Sequence, residues 1–176
     1  MQLKLYRTTI NHQTYGLGST KIGLAFVGKA NGPADEWHQF FPAATTTIDE
    51  AANRPAATAL ADYLAGRTHQ FNLPLDQQHG TELQRQVWQA LRELPYGTTT
   101  TYTAVAAKIG HPTAVRAVAT AVGKNPLLIV VPCHRVCRKD GQLGGYRGGL
   151  PMKAALLALE KSLKRHTETC LTCRVM

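Results

Sequence analysis

The sequence lacks long apolar runs and has few cysteines, and each absence excludes a class of protein. No apolar stretch approaches the roughly 20 residues that cross a bilayer, and residues 1–4 do not begin a secretory signal. Four cysteines in 176 residues do not resemble the disulfide framework of a small secreted protein. We therefore expect no membrane span and a reducing compartment, which is the cytoplasm, or the nucleus if the source is eukaryotic.

Acidic residues are missing from one long stretch of the chain. From Leu94 to Lys139 there are six lysines and arginines and no aspartate or glutamate. Residues 76–176 carry fourteen basic and six acidic side chains, whereas residues 1–75 carry six and five. A one-sided basic surface is typical of phosphate contact, although charge alone does not distinguish a nucleic-acid binder from a merely basic protein.

The first half of the chain shows no chemistry-bearing pattern. Residues 1–32 are rich in strand signals: residues 4–10 alternate loosely, and short apolar runs separated by Gly/Ser/Thr turns follow, which predicts a meander or hairpins. Apolar residues at helical spacing predict a helix from Pro55 to a stop at Gly66. The isolated His12, His38 and His69 have no partner at ligand spacing, so no metal site is expected.

The second half contains a candidate helix-turn-helix. A helix is predicted over residues 81–94, followed by a short helix over 103–109 and a second short helix from Ala114 to about Gly123, capped by Thr113. Two short helices joined by a glycine-containing turn match the motif, although many helical hairpins bind nothing.

The second short helix is built almost entirely from small side chains. Arg116 is its only charged residue before Lys124. Its small residues are Ala114, Ala117, Ala119, Ala121 and Gly123. A transcription factor would need several polar readers of base edges. This helix instead suits close, sequence-independent approach to a groove, with one arginine given a special task.

The segment that leads to Cys133 is the most distinctive feature of the chain. The aliphatic run 128–131 predicts a buried strand, which Pro132 ends just before Cys133 and His134. A thiol beside an ionisable imidazole can be a nucleophile, a metal ligand or a buried cysteine without chemical interest. A cysteine hydrolase is disfavoured because no separate segment supplies a converging histidine and an oxyanion loop.

A glycine-rich loop and a final helix follow. Residues 144–149 place glycines around Tyr146 and Arg147 without the spacing of a nucleotide-binding fingerprint, which suggests a backbone closing on a flat ligand. A helix is predicted over residues 151–163, where Glu160 alone would be assigned to a solvated face. The polar residues after it are expected to fray.

These motifs together resemble those of the O6-alkylguanine-DNA alkyltransferase family. Residues 132–136 read Pro-Cys-His-Arg-Val, preceded by Asn125-Pro126 and followed by Gly145-Tyr146. The resemblance runs from about residue 80 to 163 and is highly specific. It is loose in the first half, where it rests chiefly on residues 59–74.

The resemblance implies an α+β protein with three parts. Residues 1–78 would form a small ribonuclease H-like sheet with a helix, and residues 79–165 a mostly helical, winged-helix-like domain that carries the helix-turn-helix. Residues 166–176 would form a flexible tail. The protein would act as a monomer on double-stranded DNA without a cofactor.

The implied reaction is direct reversal of DNA damage. The protein would bind the minor groove and flip an O6-alkylguanine, with O4-alkylthymine as a further candidate substrate. It would move the alkyl group irreversibly onto Cys133, once per molecule. A non-catalytic alkyltransferase-like binder is disfavoured because that class lacks the acceptor cysteine.

The resemblance also assigns roles to residues. His134, oriented by Glu160, would activate Cys133 through a water, Tyr102 would donate to the leaving guanine, and Asn125 would organise the turn. Arg116 would replace the flipped base, with Thr113, Ala114, Ala117 and Lys124 also on DNA. Tyr146 would shape the pocket, and the backbone near Val136 and Arg147 would read the guanine edge.

Several positions depart from the family pattern or have no assigned role. Leu128 stands where a proline is frequent, which predicts an altered pocket width, and Arg147 replaces a small polar residue. Cys137 is interpreted as structural or an occasional oxidation partner. Cys170 and Cys173 form half a zinc site at most.

Overall fold

A computed structural model describes residues 1–172 of the chain, with side chains as far as residue 163. The strands are β1 (Gln2–Ile10), β2 (Gln13–Ser19), β3 (Leu24–Val27), β4 (Thr45–Ile48), β5 (Thr100–Thr101) and β6 (Val136–Cys137). The α-helices are α1 (Glu50–Leu64), α2 (Glu82–Arg92), α3 (Tyr102–Lys108), α4 (Val115–Gly123) and α5 (Leu150–Thr172). The predicted α+β class is confirmed, whereas the ribonuclease H-like and winged-helix likenesses stay predictions.

The N-terminal part is a four-stranded sheet with the order β3-β2-β1-β4. The predicted hairpins are confirmed: β1 and β2 are antiparallel and join through Asn11 and His12, whose positive φ angles of 49° and 62° suit a tight turn. Strand β4, parallel to β1, was not predicted. All four of its residues are exposed, so it lacks the alternation that marks a half-buried strand.

Helix α1 covers one face of this sheet, and its predicted start at Pro55 is wrong. The helix begins after Asp49, whose carboxylate accepts a hydrogen bond from Ala52 N at 2.9 Å. Pro55 lies inside the helix. The predicted stop is confirmed, since Gly66 has φ +71° and its N–H donates to Tyr63 O at 3.0 Å.

The helices of the second half form where the sequence predicts them. Thr81 and Gln84 form a reciprocal capping box at the start of α2. Helices α3 and α4 pack together as the predicted helix-turn-helix, and the Trp88 indole of α2 donates to Ala121 O of α4 at 3.0 Å. The predicted cap by Thr113 is wrong: the N-cap residue of α4 is Ala114, without a side-chain bond.

The predicted strand over residues 128–131 is wrong, although its burial is confirmed. Leu127 forms an isolated parallel bridge with Val27, residues 128–130 form a turn and Val131 a bend, and each of these residues is at most 8% exposed. Val131 N donates to Leu127 O at 3.0 Å, and Ile129 has φ +70°. The apolar run is fully inside the protein, but the prolines at 126 and 132 and a buried asparagine bend it.

One hydrophobic core joins both halves of the chain. Its members come from strands β1, β2, β3 and β6, from the buried turns and from all five helices. The predicted boundary at residue 78 therefore crosses a shared core. Helix α5 continues past its predicted end at residue 163 to Thr172. The side chain of Cys170, all of Cys173 and the end of the predicted tail lie outside the described residues.

Candidate active site

Cys133 lies at the end of the active-site turn, the name used here for residues 125–136. It begins a 3-10 helix, Cys133–Arg135, and is only 4% exposed. The Asn125 amide organises the turn: Nδ2 donates to Val131 O at 2.9 Å and to Leu127 O at 3.2 Å, and Oδ1 accepts from Leu127 N at 2.9 Å. The same Nδ2 reaches Cys133 Sγ at 3.1 Å. The predicted organising role of Asn125 agrees with this geometry.

The active-site turn is docked on the open edge of the N-terminal sheet. Val27 N donates to Pro126 O at 2.9 Å, and Leu128 N donates to Val27 O at 3.3 Å. These bonds cover the free edge of β3. The positive φ of Ile129, a β-branched residue, is a strained conformation that persists only where the surroundings determine it. The active-site turn is therefore fixed by the Asn125 side chain on its inside and by the hydrogen bonds to Val27 of β3 on its outside.

Behind the cysteine, His134 and Glu160 form a buried pair. Both side chains are 0% exposed, and His134 Nε2 lies 2.5 Å from Glu160 Oε1. Burial lowers the pKa of His134, so the imidazole is neutral near pH 7. A neutral ring beside a carboxylate donates from Nε2, which leaves Nδ1 as the acceptor. Nδ1 is buried and has no hydrogen-bond partner among the described residues.

Glu160 gathers several other donors. Arg135 Nε donates to Oε2 at 2.9 Å, Gly97 N donates to Oε2 at 3.0 Å, and Tyr63 Oη donates to Oε1. Burial raises the pKa of the Glu160 carboxyl, but the hydrogen bonds from His134 and Arg135 outweigh it and bring the pKa to about 2. Glu160 is therefore an ionised, fully buried anchor in contact with His134, and the solvated position that the sequence without the family resemblance favoured for it is wrong.

The thiol itself is protonated at rest. Burial raises the pKa of Cys133, while the Asn125 hydrogen bond and the charges of Arg147 and Lys153 oppose that rise. A thiol must become a thiolate to attack carbon. The site thus pairs a neutral nucleophile with a neutral imidazole whose remaining nitrogen can take the proton.

A cavity of about 180 Å³ lies beside Cys133. It is lined by Tyr102, Ala119, Val122, Gly123, Cys133, Gly145, Tyr146 and Arg147. This volume is below the roughly 300 Å³ at which pockets for drug-sized ligands begin, so the cavity suits one small ring system. The glycine-rich loop and the C-terminal end of α4 form its walls.

The predicted pocket residues are only partly brought together here. Tyr102 and Tyr146 line the cavity, and burial raises the pKa of both phenols, which keeps them protonated. Tyr146 Oη is buried without a hydrogen-bond partner within the described part of the chain. Val136 and Leu128 are fully buried and do not line the cavity, so its lining offers no support for the predicted effect of Leu128 on pocket width.

Residue-level reasoning missed four groups around the site. Arg135, Tyr63 and the Gly97 N–H hold Glu160, and Lys153, which is 0% exposed, donates from Nζ to Val136 O at 2.6 Å. A signal for Lys153 was present. It lies seven residues before Glu160 in α5, and these two charged residues share one buried stripe with Leu156.

The predicted DNA-binding residues lie on the outer face of α4 and its flanks. Thr113, Arg116, Ala117 and Lys124 are exposed, and Ala114 is half-buried. The opposite face of α4 packs into the core through Val118, Ala121 and Val122. One helix thus has a solvent-facing side and a side that reaches the cavity, while the DNA contacts themselves stay a prediction.

The described residues offer neither a metal-binding cluster nor a membrane-spanning helix. No cluster of three or more His, Cys, Asp or Glu side chains could hold a metal ion there. No helix within residues 1–172 is long and apolar enough to cross a membrane.

Comparison with known proteins assigns the chain to a family. Residues 82–162 match the family model described as 6-O-methylguanine DNA methyltransferase, DNA binding domain. The inducible methylated-DNA–protein-cysteine methyltransferase of Bacillus subtilis is 46% identical over 149 residues, which cover 82% of this chain and 83% of that protein.

Two mycobacterial proteins extend the match. A methylated-DNA–protein-cysteine methyltransferase of Mycolicibacterium paratuberculosis is 50% identical over 66% of this chain and 68% of its own. The crystal structure of Mycobacterium tuberculosis OGT in complex with DNA matches with a TM-score of 0.76 and 36% identity, over 93% of this chain and 94% of that one. By sequence and by fold, this chain belongs to the methylated-DNA–protein-cysteine methyltransferase family.

Proposed function

We propose that this protein repairs alkylated DNA by moving the alkyl group from O6 of guanine to Sγ of Cys133. One observation carries the proposal: a buried thiol, held by Asn125, lies at a small cavity with the His134–Glu160 pair behind it. The cavity wall is the inner side of α4, whose outer side is free to meet DNA.

The reaction begins with removal of the thiol proton. His134 Nδ1 accepts this proton through a bridging water, since neighbouring residues in the chain do not direct their side chains at one another. Glu160 stabilises the imidazolium that forms, because its carboxylate is already ionised and in contact with Nε2. The neutral Cys133 thiol and His134 imidazole thereby become a thiolate and an imidazolium during the reaction and not in the resting protein.

The thiolate then attacks the alkyl carbon. The S–C bond forms as the C–O6 bond breaks, and the electron pair of that bond passes to the guanine. Tyr102, which its raised pKa keeps protonated, donates a hydrogen bond to the guanine anion as it leaves, a role supported by its place in the cavity wall. The proton that His134 took from the thiol is the one that finally neutralises the guanine anion. The products are an unmodified guanine and a thioether on Cys133, which the site cannot reverse.

Access to the base requires that it leave the DNA stack. The small-sided α4 approaches the minor groove, and Arg116, exposed on its outer face, fills the space of the flipped nucleotide. Unstacking costs a few kcal/mol, which a planar cation inserted between bases offsets in part. O4-alkylthymine presents an alkyl ether of similar chemistry and is the second substrate that we propose.

The test is the intact mass of the protein after incubation with duplex DNA containing O6-methylguanine. We expect one methyl group per molecule, on the peptide that contains Cys133, and no second turnover. Cys133→Ala should bind the duplex but gain no mass, whereas Cys137→Ala, the matched control at a half-buried cysteine, should be methylated like the parent. Binding without any adduct on the parent protein would instead make the protein a non-catalytic binder.

A further inference from the structure

Arg147 follows the pocket tyrosine in sequence, yet its side chain leaves the pocket and crosses to the N-terminal sheet. Its guanidinium donates from Nη2 to Val27 O at 2.8 Å and to Pro126 O at 3.2 Å. Its Nη1 pairs with the Glu36 carboxylate. The side chains of Arg147 and Glu36 are 12% and 6% exposed, so this contact is an internal one.

Residues of the N-terminal part surround the Arg147 guanidinium with a fixed carboxylate and an aromatic ring. The second carboxylate oxygen of Glu36 accepts from Lys29 N at 2.9 Å, which fixes the carboxylate on the chain after β3. The Arg147 guanidinium lies 4.8 Å from the ring centroid of Phe40, within the range of a cation–π contact. A buried ion pair is tolerated only when its remaining hydrogen-bonding groups are also satisfied, and these contacts meet that condition.

The same guanidinium also binds the residue that donates a hydrogen bond to the Cys133 thiol. Arg147 Nε donates to Asn125 O at 3.1 Å. Asn125 in turn supplies the hydrogen bond from Nδ2 to Cys133 Sγ at 3.1 Å. A continuous path of hydrogen bonds therefore runs from Glu36, through Arg147 and Asn125, to the reacting sulfur.

We propose that Arg147 is a positioning residue for alkyl transfer, which together with Glu36 makes the N-terminal part of the chain a working component of the active site. This inference rests on the proposed function. The guanidinium nitrogens of Arg147 bind Asn125 O, Val27 O, Pro126 O and the Glu36 carboxylate, so Arg147 acts by fixing Asn125 and the active-site turn against β3. The Arg147 guanidinium thereby places a buried positive charge close enough to Cys133 to interact with its thiolate.

Only an arginine meets these requirements. Three acceptors and a carboxylate surround the guanidinium in different directions, and a planar fork with five donors serves them together. A lysine keeps the charge, but its three donors all extend from one nitrogen and cannot reach acceptors spread around a planar fork. Arg147→Lys therefore separates the positioning role from the charge.

The pKa of the Cys133 thiol is the property that the experiment measures. The structure shows which charged and titratable groups lie around this thiol. The charged and titratable groups that interact with it are Tyr102, Tyr146, Arg147 and Lys153, and His134 is its neighbour in the chain. The Asn125 hydrogen bond and the charge of Arg147 both lower the pKa of Cys133 against the effect of burial. Displacement of Asn125 should hence move thiolate formation to higher pH even when the charge is kept.

The first experiment measures single-turnover methyl transfer from O6-methylguanine duplex and the pH profile of Cys133 labelling by iodoacetamide. For Arg147→Lys and for Glu36→Gln we expect the transfer rate to fall about tenfold to a hundredfold, because small displacements of a nucleophile have effects of that size. The labelling profile should move up by about half a pH unit or more. The dissociation constant for DNA should change by less than about twofold, since neither residue lies on α4.

Arg54→Lys and Glu50→Gln are the matched controls, since this pair is exposed on α1; both should behave like the parent.

A double variant tests whether Arg147 acts through Asn125. If Arg147 acts through Asn125, then Arg147→Lys combined with Asn125→Ser should be no slower than Asn125→Ser alone, within about threefold. Losses that multiply would overturn this route.

Parent-like rates and labelling in both Arg147→Lys and Glu36→Gln would overturn the inference as a whole. Failure of the proposed function gives a different result, because the parent protein itself would then take up no methyl group. The iodoacetamide profile would still report whether Arg147 positions the thiol.

Discussion

The active-site turn and the outer face of α4 are adjacent in sequence but have opposite physical character. The turn, residues 125–136, is buried, hydrogen-bonded and strained at Ile129. The outer face of α4 is exposed, has small side chains and carries Arg116. The first surface suits chemistry in a low-dielectric site and the second suits sequence-independent binding. Binding and transfer should therefore be separable by mutation.

The largest effect should come from Glu160→Gln. This change removes the charge that stabilises the His134 imidazolium and leaves Arg135 buried without its partner. The methyl-transfer rate should fall by about 10²- to 10⁴-fold, the range for general acid–base groups. DNA affinity, measured by fluorescence anisotropy, should stay within about threefold of the parent. An equal loss of affinity and rate would mean that the two surfaces are not separable.

Acid should destabilise the folded protein by protonating the buried His134–Glu160 pair, whereas the exposed face of α4 should not contribute to this loss of stability. The folded pKa of Glu160, about 2, is below its usual 4.5, so the unfolded state binds more protons between these values. Its contribution, about 3 kcal/mol, is full above pH 4.5 and is lost as the pH falls towards 2.

His134 adds to this loss, because its folded pKa is lowered and its unfolded form takes up a proton below about pH 6.5. Urea unfolding at several pH values should show stability falling below pH 6.5 and again below 4.5. Arg116→Ala should follow the same curve as the parent. A pH-independent stability between 6.5 and 3 would refute the charge assignment.

Arg116→Ala tests the other surface. The side chain is exposed, so its loss should leave the unfolding free energy within about 0.5 kcal/mol of the parent. Repair of duplex DNA should slow by about tenfold to a hundredfold, since the flipped state loses its filler. The reaction of Cys133 with iodoacetamide should not change. Parent-like repair would remove Arg116 from the proposed mechanism.

The smallest effect should follow from Ala117→Leu, which enlarges the exposed face of α4. A larger side chain should keep the backbone away from the groove and weaken DNA binding a few-fold, about threefold to tenfold. Ala51→Leu, at an exposed alanine of α1, serves as the control and should bind like the parent. Equal affinity of all three proteins would show that small side chains are not required on α4.

The sequence predicted best those elements whose signals are local. The hairpins and the stop at Gly66 depend on neighbouring residues, and both are confirmed. Strand β4 and the start of α1 were missed, since four exposed residues and a proline hide them. The turn over residues 127–131 was predicted as a strand because burial and strand preference coincide in an aliphatic run.

By itself, the sequence determined the class of the fold, the reactive cysteine and the histidine beside it, because these are set by local pattern and by an ordered motif. The family resemblance also assigned Glu160 to His134, but only the tertiary structure showed that this carboxylate is buried and which other buried groups serve the cysteine. Glu160 and Lys153 lie on the inner stripe of α5, Arg135 and Tyr63 converge on Glu160, and Arg147 joins Asn125 to Glu36. These partners are far apart in the chain, and their roles arise from desolvation and contact, which the order of residues does not specify.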